Sequence, residues 1–169
     1  MKRNQWILGL FLCVFSAFVL QSCDKDDDPE ELIAANSDFA NFASWTLVET
    51  VTEPNALLGE VAHGGQSETA IRKIYIKDGA KRGSDGYPIG TVIVKHTSFE
   101  DSDDNAYLGM VKRGNDFDTD RGDWEYFILN AAGEIQSDAD GDLRGDSAFK
   151  MCGGCHTIAS DTDYIFTTN

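Results

Sequence analysis

Cys152-Gly153-Gly154-Cys155-His156 places two thiols and an imidazole within five consecutive residues. Two cysteines at this spacing, with a histidine directly after the second, form the attachment pattern of c-type haem. Each sulfur adds to one vinyl group of the porphyrin, and the histidine coordinates the iron from the proximal side. A single helical turn carries all three groups on one side of the ring. Two other chemistries use a Cys-x-x-Cys pair. A zinc site needs two further ligands, and the remaining histidines, His63 and His96, stand far away in the chain with no matching pair. A redox dithiol of the thioredoxin type follows the first strand of a βαβ unit, whereas this motif comes at residues 152–156 of 169.

The first residues point to export. Lys2 and Arg3 form a basic start, and Trp6–Leu20 is an apolar run, too short and too close to that start for a permanent span. The run ends in Leu20-Gln21-Ser22-Cys23, which resembles a bacterial lipobox. The expectation is a signal peptide over 1–22, with Cys23 lipidated and serving as the membrane anchor; the plainer alternative is an ordinary cleaved signal with an incidental cysteine. The four cysteines fit the first reading: Cys13 leaves with the signal, Cys23 takes lipid, and Cys152 and Cys155 take haem, so no thiol is left over. Attachment of c-type haem also takes place outside the cytoplasm. The expected location is therefore the inner or outer membrane facing the periplasm, or the cell surface.

The formal net charge is −15, and loss of residues 1–22 removes two positive charges to leave −17. So acidic a chain does not bind nucleic acid through charge, and its contact with membrane rests on lipid. Residues 23–36, with Asp24-Lys25-Asp26-Asp27-Asp28-Pro29-Glu30-Glu31 at their core, read as a solvated acidic tether. Residues 37–169 then make one domain.

The elements that must position the motif are short. Asp38–Trp45 suits a helix capped by Ser37 or Asp38, with Phe39, Phe42 and Trp45 on one face. Strand patterns follow at Ile71–Lys77, Thr91–Thr97, Tyr107–Lys112 and Asp123–Asn130, with a turn at Gly86–Gly90. Asp146 or Ser147 caps a short helix that runs into the haem motif, and Thr162–Phe166 suits a last extended piece. In the fourth strand, Trp124, Tyr126 and Ile128 share one face while Glu125, Phe127 and Leu129 share the other. Both faces are largely apolar, so the strand is expected to be covered on both sides, by protein on one and by haem on the other. The fold expected is α+β and β-rich: an antiparallel sheet with a few short helices, haem packed against it, and a C-terminal Cys-x-x-Cys-His helix. Long 3.6-period helices, as in a four-helix-bundle cytochrome, are not found.

Tyr87–Lys95, Leu108–Lys112, Asp123–Phe127 and Cys152–His156, in that order, are similar to blocks of the cytochrome P-460 family, which includes the cytochromes c-prime-beta. Ala62-His63-Gly64 and Ile74-Tyr75-Ile76 also resemble family segments. The resemblance spans roughly residues 40–168 and implies a β-rich fold, often dimeric, with a single five-coordinate haem c whose proximal ligand is His156. It implies one of two activities: oxidation of hydroxylamine, where a lysine is covalently linked to the porphyrin, or binding of gases such as nitric oxide, where that link is absent.

Lys95, which ends the Gly-Thr-Val-Ile-Val-Lys run of residues 90–95, is the candidate for that lysine, with Lys112 second. Alternation sets Lys95 with Thr91 and Ile93, opposite Val92, Val94 and His96; if only the latter face is buried, Lys95 points to water. Glu125, among apolar neighbours, is the candidate to take protons from hydroxylamine, against the plainer role of a carboxylate paired with a basic side chain. His63 and His96 are weighed as distal ligands or proton relays against structural histidines. Met110 is weighed as a sixth iron ligand against strand packing. Phe99, Tyr107, Trp124 and Phe127 suit a pocket wall or a core equally well. Asp138–Asp142 has a calcium-loop composition, but Leu143 stands where the EF-hand needs glycine and Phe149 where it needs glutamate. The partners expected are a small nitrogenous ligand or gas and a redox partner. The remaining alternatives are a non-enzymatic gas-binding haemoprotein and an electron carrier.

Overall fold

The computed structural model describes residues 31–52, 69–100, 102–146, 149 and 152–167. The expected signal peptide, Cys23, most of the tether and His63 lie outside them.

Four antiparallel strands carry the fold: β2 (Ala70–Ile76), β3 (Val92–Phe99), β4 (Ser102–Lys112) and β5 (Trp124–Leu129). β1 (Thr46–Val51) pairs with β2 at one edge. At the other edge β5 pairs with β8 (Arg144–Gly145), giving a six-stranded sheet in the order β1-β2-β3-β4-β5-β8. A small hairpin of β6 (Ser137–Asp138) and β7 (Gly141–Asp142) stands apart from it. The expected acidic loop is the tip of this hairpin, where the Asp140 N–H donates to Asp138 and the Ser137 hydroxyl to Asp142. From β1 to β5 neighbours in sequence are neighbours in the main sheet, and β8 joins β5 after the separate β6–β7 hairpin. Two short helices complete it, α1 (Asn36–Phe39) and α2 (Cys152–His156).

Because side chains alternate along a strand, the sheet has two distinct layers. On one face Tyr75, Val92, Val94, Val111, Phe127 and Leu129 pack beneath Phe39, Phe42 and Ala34. On the other, Ile74, Ile76, Ile93, Met110, Trp124 and Tyr126 pack with Ile165, Phe149 and Cys152. β5 is covered on both sides, as its two apolar faces require. The N-terminal covering is tighter than a single helix. α1 ends at Phe39, Asn41 turns into the left-handed region at φ 57°, and a 3₁₀ turn at Phe42–Ser44 follows. The break lets Phe39 and Phe42 both enter the core. The cap also differs from expectation: the Asp38 carboxylate accepts from the Ala35 N–H at 3.0 Å. Residues 31–35, read from the sequence as tether, pack on the sheet: the Leu32 N–H donates to the Arg113 carbonyl at 2.9 Å, and Ala34 is buried.

Gly109, in the middle of β4, marks the closest approach between layers. A Cβ there would lie 2.8 Å from the Phe39 ring and 3.2 Å from Phe127 and Leu129. The Phe39 and Phe127 rings meet at 4.9 Å in a tilted pair. Gly109→Ala is therefore expected to destabilise the domain by about 1–3 kcal/mol through overpacking. Denaturant unfolding checks this, and an unchanged midpoint would mean that the ring has room to move aside.

Candidate functional site

α2 begins at Cys152, and its five residues are the whole motif. Cys152 and Cys155 are free thiols, each half-buried, and burial pushes the Cys152 thiol up. His156 closes the helix, is 7% exposed, and packs its ring against Tyr126 and Phe166, each at 5.3 Å. Its Nδ1 lies 2.6 Å from the carbonyl oxygen of Tyr164. A carbonyl only accepts, so Nδ1 carries the proton and, in the neutral ring, Nε2 carries the lone pair. Burial lowers the imidazole to about 4, against the pull of the Tyr164 carbonyl and with help from the nearby Lys95 charge. The ring is thus neutral at pH 7, the form in which histidine binds a metal.

The Tyr164 carbonyl reaches Nδ1 because the chain doubles back. A 3₁₀ segment over Thr157–Thr162 follows α2, and Asp163 and Tyr164 then take left-handed conformations in succession, at φ 54° and 64°. The sequence suggests an extended piece over Thr162–Phe166; the structure has this tight return instead.

α2 lies over the face of the sheet that carries Ile93, Leu108, Met110 and Tyr126, and these residues with Lys95, Cys152 and His156 line an almost wholly apolar hollow. Its volume is about 50 Å³, less than a macrocycle fills. The residues fit a haem in three respects. The donor set is two thiols and a neutral imidazole on one turn. The wall is apolar. The Tyr126 hydroxyl on that wall is buried with no hydrogen-bond partner among the described residues, as is the neighbouring Trp124 indole N–H. Buried groups left unsatisfied in this way call for a water or a bound group beside them. Burial pushes the Tyr126 hydroxyl far up, so it stays protonated and can donate. Tyr126 is a site residue that sequence reasoning placed only on a strand face.

Lys95 is on this side of the sheet, across from Leu108 in the β3–β4 register. Both faces are covered, so the condition that would have sent it to water does not hold. Burial, with the Arg72 charge adding to it, lowers the Lys95 ammonium to about 8. Met110 stands on the same wall, buried among Ile93, Trp124 and Tyr126.

The other candidates make their contacts away from the hollow. Lys112 lies on the same side but is engaged, donating to both Asp163 carboxylate oxygens at 2.8 and 3.0 Å and lying 5.3 Å from the Trp124 ring centre. His96 is on the opposite face, stacked on Tyr107 at 4.6 Å with Asn105 3.1 Å from its Nε2. Phe127 borders the hollow, but its ring belongs to the Phe39 layer.

Glu125 is also on that opposite face, across from Val111, and is 2% exposed. Arg144 grips it with two bonds, Nε to Oε1 at 2.7 Å and Nη2 to Oε2 at 2.9 Å, and Arg113 approaches Oε2 at 3.4 Å. The sheet separates it from the motif, and the expected proton acceptor is instead the centre of a buried ion-pair network. Arg144 extends that network, donating to the Ala34 carbonyl at 2.7 Å and lying over the Phe127 ring at 4.8 Å. Glu125→Gln leaves guanidinium charge uncompensated, so it should cost about 3 kcal/mol of stability while leaving the optical spectrum of the haem-loaded protein unchanged. Denaturation and absorption spectra on one preparation check both; an intact midpoint with an altered spectrum would return Glu125 to the site.

The family model for cytochrome P460 matches residues 39–167. No curated protein and no solved structure matches the chain. The family match runs from Phe39, in the covering layer, through every strand of the sheet and past the attachment motif, and by it the chain belongs to the cytochrome P460 family, whose members are haem proteins of the c type.

Proposed function

We propose that this chain carries one haem c, on Cys152 and Cys155 with His156 as the iron ligand, and that it oxidises hydroxylamine with Lys95 as the pocket residue joined to the porphyrin. The observation that carries this reading is the position of Lys95 in the hollow that Cys152 and His156 also line, with its ammonium lowered to about 8. When bound, the haem supplies an iron position for the nitrogenous ligand and a store for its electrons.

The residues do the rest. His156, turned by the Tyr164 carbonyl, presents Nε2. The apolar wall keeps water away from the ligand. Lys95 must lose a proton before its nitrogen can form a bond, and a value of about 8 leaves roughly a tenth of the amine neutral at pH 7 and half at pH 8. Joining of Lys95 replaces a ring C–H with a C–N bond and releases two protons and two electrons, so it needs an oxidant such as peroxide. With peroxide supplied, it should speed up as pH rises through 8 and level off above it. Glu125 has no part in this proposal.

The nearly apolar hollow of about 50 Å³ favours a second reading, in which Lys95 stays unlinked and the protein holds an uncharged gas such as nitric oxide without turnover. Export and anchoring through Cys23 remain part of the proposal, supported by Leu20-Gln21-Ser22-Cys23 and the cysteine count. So do a separate redox partner to receive electrons and pairing into a homodimer.

Spectra of the reduced protein separate the readings. The linked haem should show a Soret band shifted far to the red that is lost in Lys95→Ala, together with hydroxylamine oxidation measured with an artificial acceptor. An identical spectrum in wild type and Lys95→Ala, with five-coordinate iron, would remove the link and leave gas binding. Six-coordinate low-spin iron would remove both and point to Met110 and electron transfer.

A further inference from the structure

Asp163 is the second residue of note in the returning segment, and neither the motif nor the pocket accounts for it. Its carboxylate accepts two bonds from Lys112 Nζ, at 2.8 and 3.0 Å, and one from the Tyr87 backbone N–H at 2.7 Å. The two side chains of the ion pair are only 11% and 10% exposed. Lys112 is on β4 and Tyr87 precedes β3, so the carboxylate ties the returning segment to the sheet at two points distant in sequence. Two glycines leave room for it. A Cβ at Gly86 would lie 2.6 Å from Asp163 Oδ2, and one at Gly122 would lie 2.9 Å from both Asp163 Oδ1 and the Tyr164 ring.

The tie falls at a strained place. Asp163 and Tyr164 are adjacent non-glycine residues with positive φ, a conformation that persists only where its surroundings enforce it. Tyr164 is fixed at its far end as well, its hydroxyl donating to the Asp120 carbonyl at 3.0 Å. Held in this way, the Tyr164 carbonyl meets His156 Nδ1 at 2.6 Å. A hydrogen bond from the far nitrogen of a ligating histidine to a carbonyl sets its tautomer and orientation and makes the other nitrogen a stronger donor.

We propose that Asp163 is a positioning residue for the iron ligand: clamped by Lys112 and the Tyr87 N–H, it fixes the left-handed turn that holds the Tyr164 carbonyl on His156 Nδ1, and through that bond sets the donor strength of the imidazole. This role rests on His156 binding haem iron. The lever is electrostatic and geometric at once. Asp163→Asn keeps the shape but gives up the charge that holds Lys112, and Lys112→Met removes the clamp from the other side.

The test uses the full-length, haem-loaded protein, reduced, with the iron–histidine stretching band and the midpoint potential as readouts. Asp163→Asn should move the band to lower wavenumber and raise the potential, Lys112→Met should move both in the same direction, and Lys112→Arg should stay close to wild type. Folded Asp163→Asn with lowered thermal stability but wild-type band and potential would overturn the proposal, because that is the behaviour of a merely structural ion pair. If Asp163→Asn does not fold, the His156 Nδ1 proton decides. A resonance protected from solvent exchange in wild type and exposed in Lys112→Met supports the clamp; one that exchanges as fast in wild type as in free imidazole overturns it. Failure to find haem in thioether linkage would overturn the haem reading itself, whereas bound haem with unmoved signatures overturns only the role of Asp163.

Discussion

The bond from His156 Nδ1 to the Tyr164 carbonyl is the constraint on which the site depends. An imidazole buried in an apolar layer is forced to be neutral, since the charged form loses its hydration there. Neutrality alone leaves two tautomers, and only one presents Nε2 as a donor. The carbonyl selects it. The features around the motif then read as means of bringing that carbonyl into place: the 3₁₀ segment after α2, two residues with positive φ, and the ion pair to β4. The motif carries the thiols and the imidazole, and the segment Thr157–Tyr164 after it turns that imidazole.

The sheet divides its two faces between stability and chemistry. One face holds Phe39, Phe42 and the aliphatic side chains of β3–β5, with Glu125 and its arginines at the margin. The other holds the hollow, Lys95 and α2. In a strand, one position of shift moves a side chain from one layer to the other, so a single strand such as β5 serves both tasks. The division also separates the charges. The carboxylate–guanidinium network is shielded by the sheet from the motif, and the near neighbour that influences both His156 and the hollow is Lys95.

Much of this was legible in the sequence. The motif announced its chemistry through residue types at fixed spacing, and alternation in β3 and β5 sorted their side chains into the two faces found. Alternation names the faces but not their contents. Nothing in Trp124–Leu129 says which side α2 will cover, and so Glu125 was weighed both as a proton acceptor and as a paired carboxylate, of which the structure shows the pairing on the face away from α2, while Lys95 was left undecided. β1 escaped notice because it is an edge strand, half exposed, with threonines and a glutamate that give no clear period. The returning segment escaped for a different reason. The decisive group at Tyr164 is a backbone carbonyl, which carries no residue-type signature, and the left-handed turn uses aspartate and tyrosine rather than glycine. The clue was Asp163 itself, a carboxylate seven residues beyond the ligand in a segment otherwise suited to extension, whose partner Lys112 is fifty-one residues away in sequence.

The central claim is that Cys152, Cys155 and His156 together fasten a haem against the sheet. Peptide mass spectrometry of the full chain, made in a host that matures c-type cytochromes, tests it most directly. The account predicts one haem per chain, with thioether bonds at both Cys152 and Cys155 that are lost in the Cys152→Ala, Cys155→Ala double variant. Unmodified cysteines in the mature protein, or haem in thioether linkage that persists in the double variant, would contradict it.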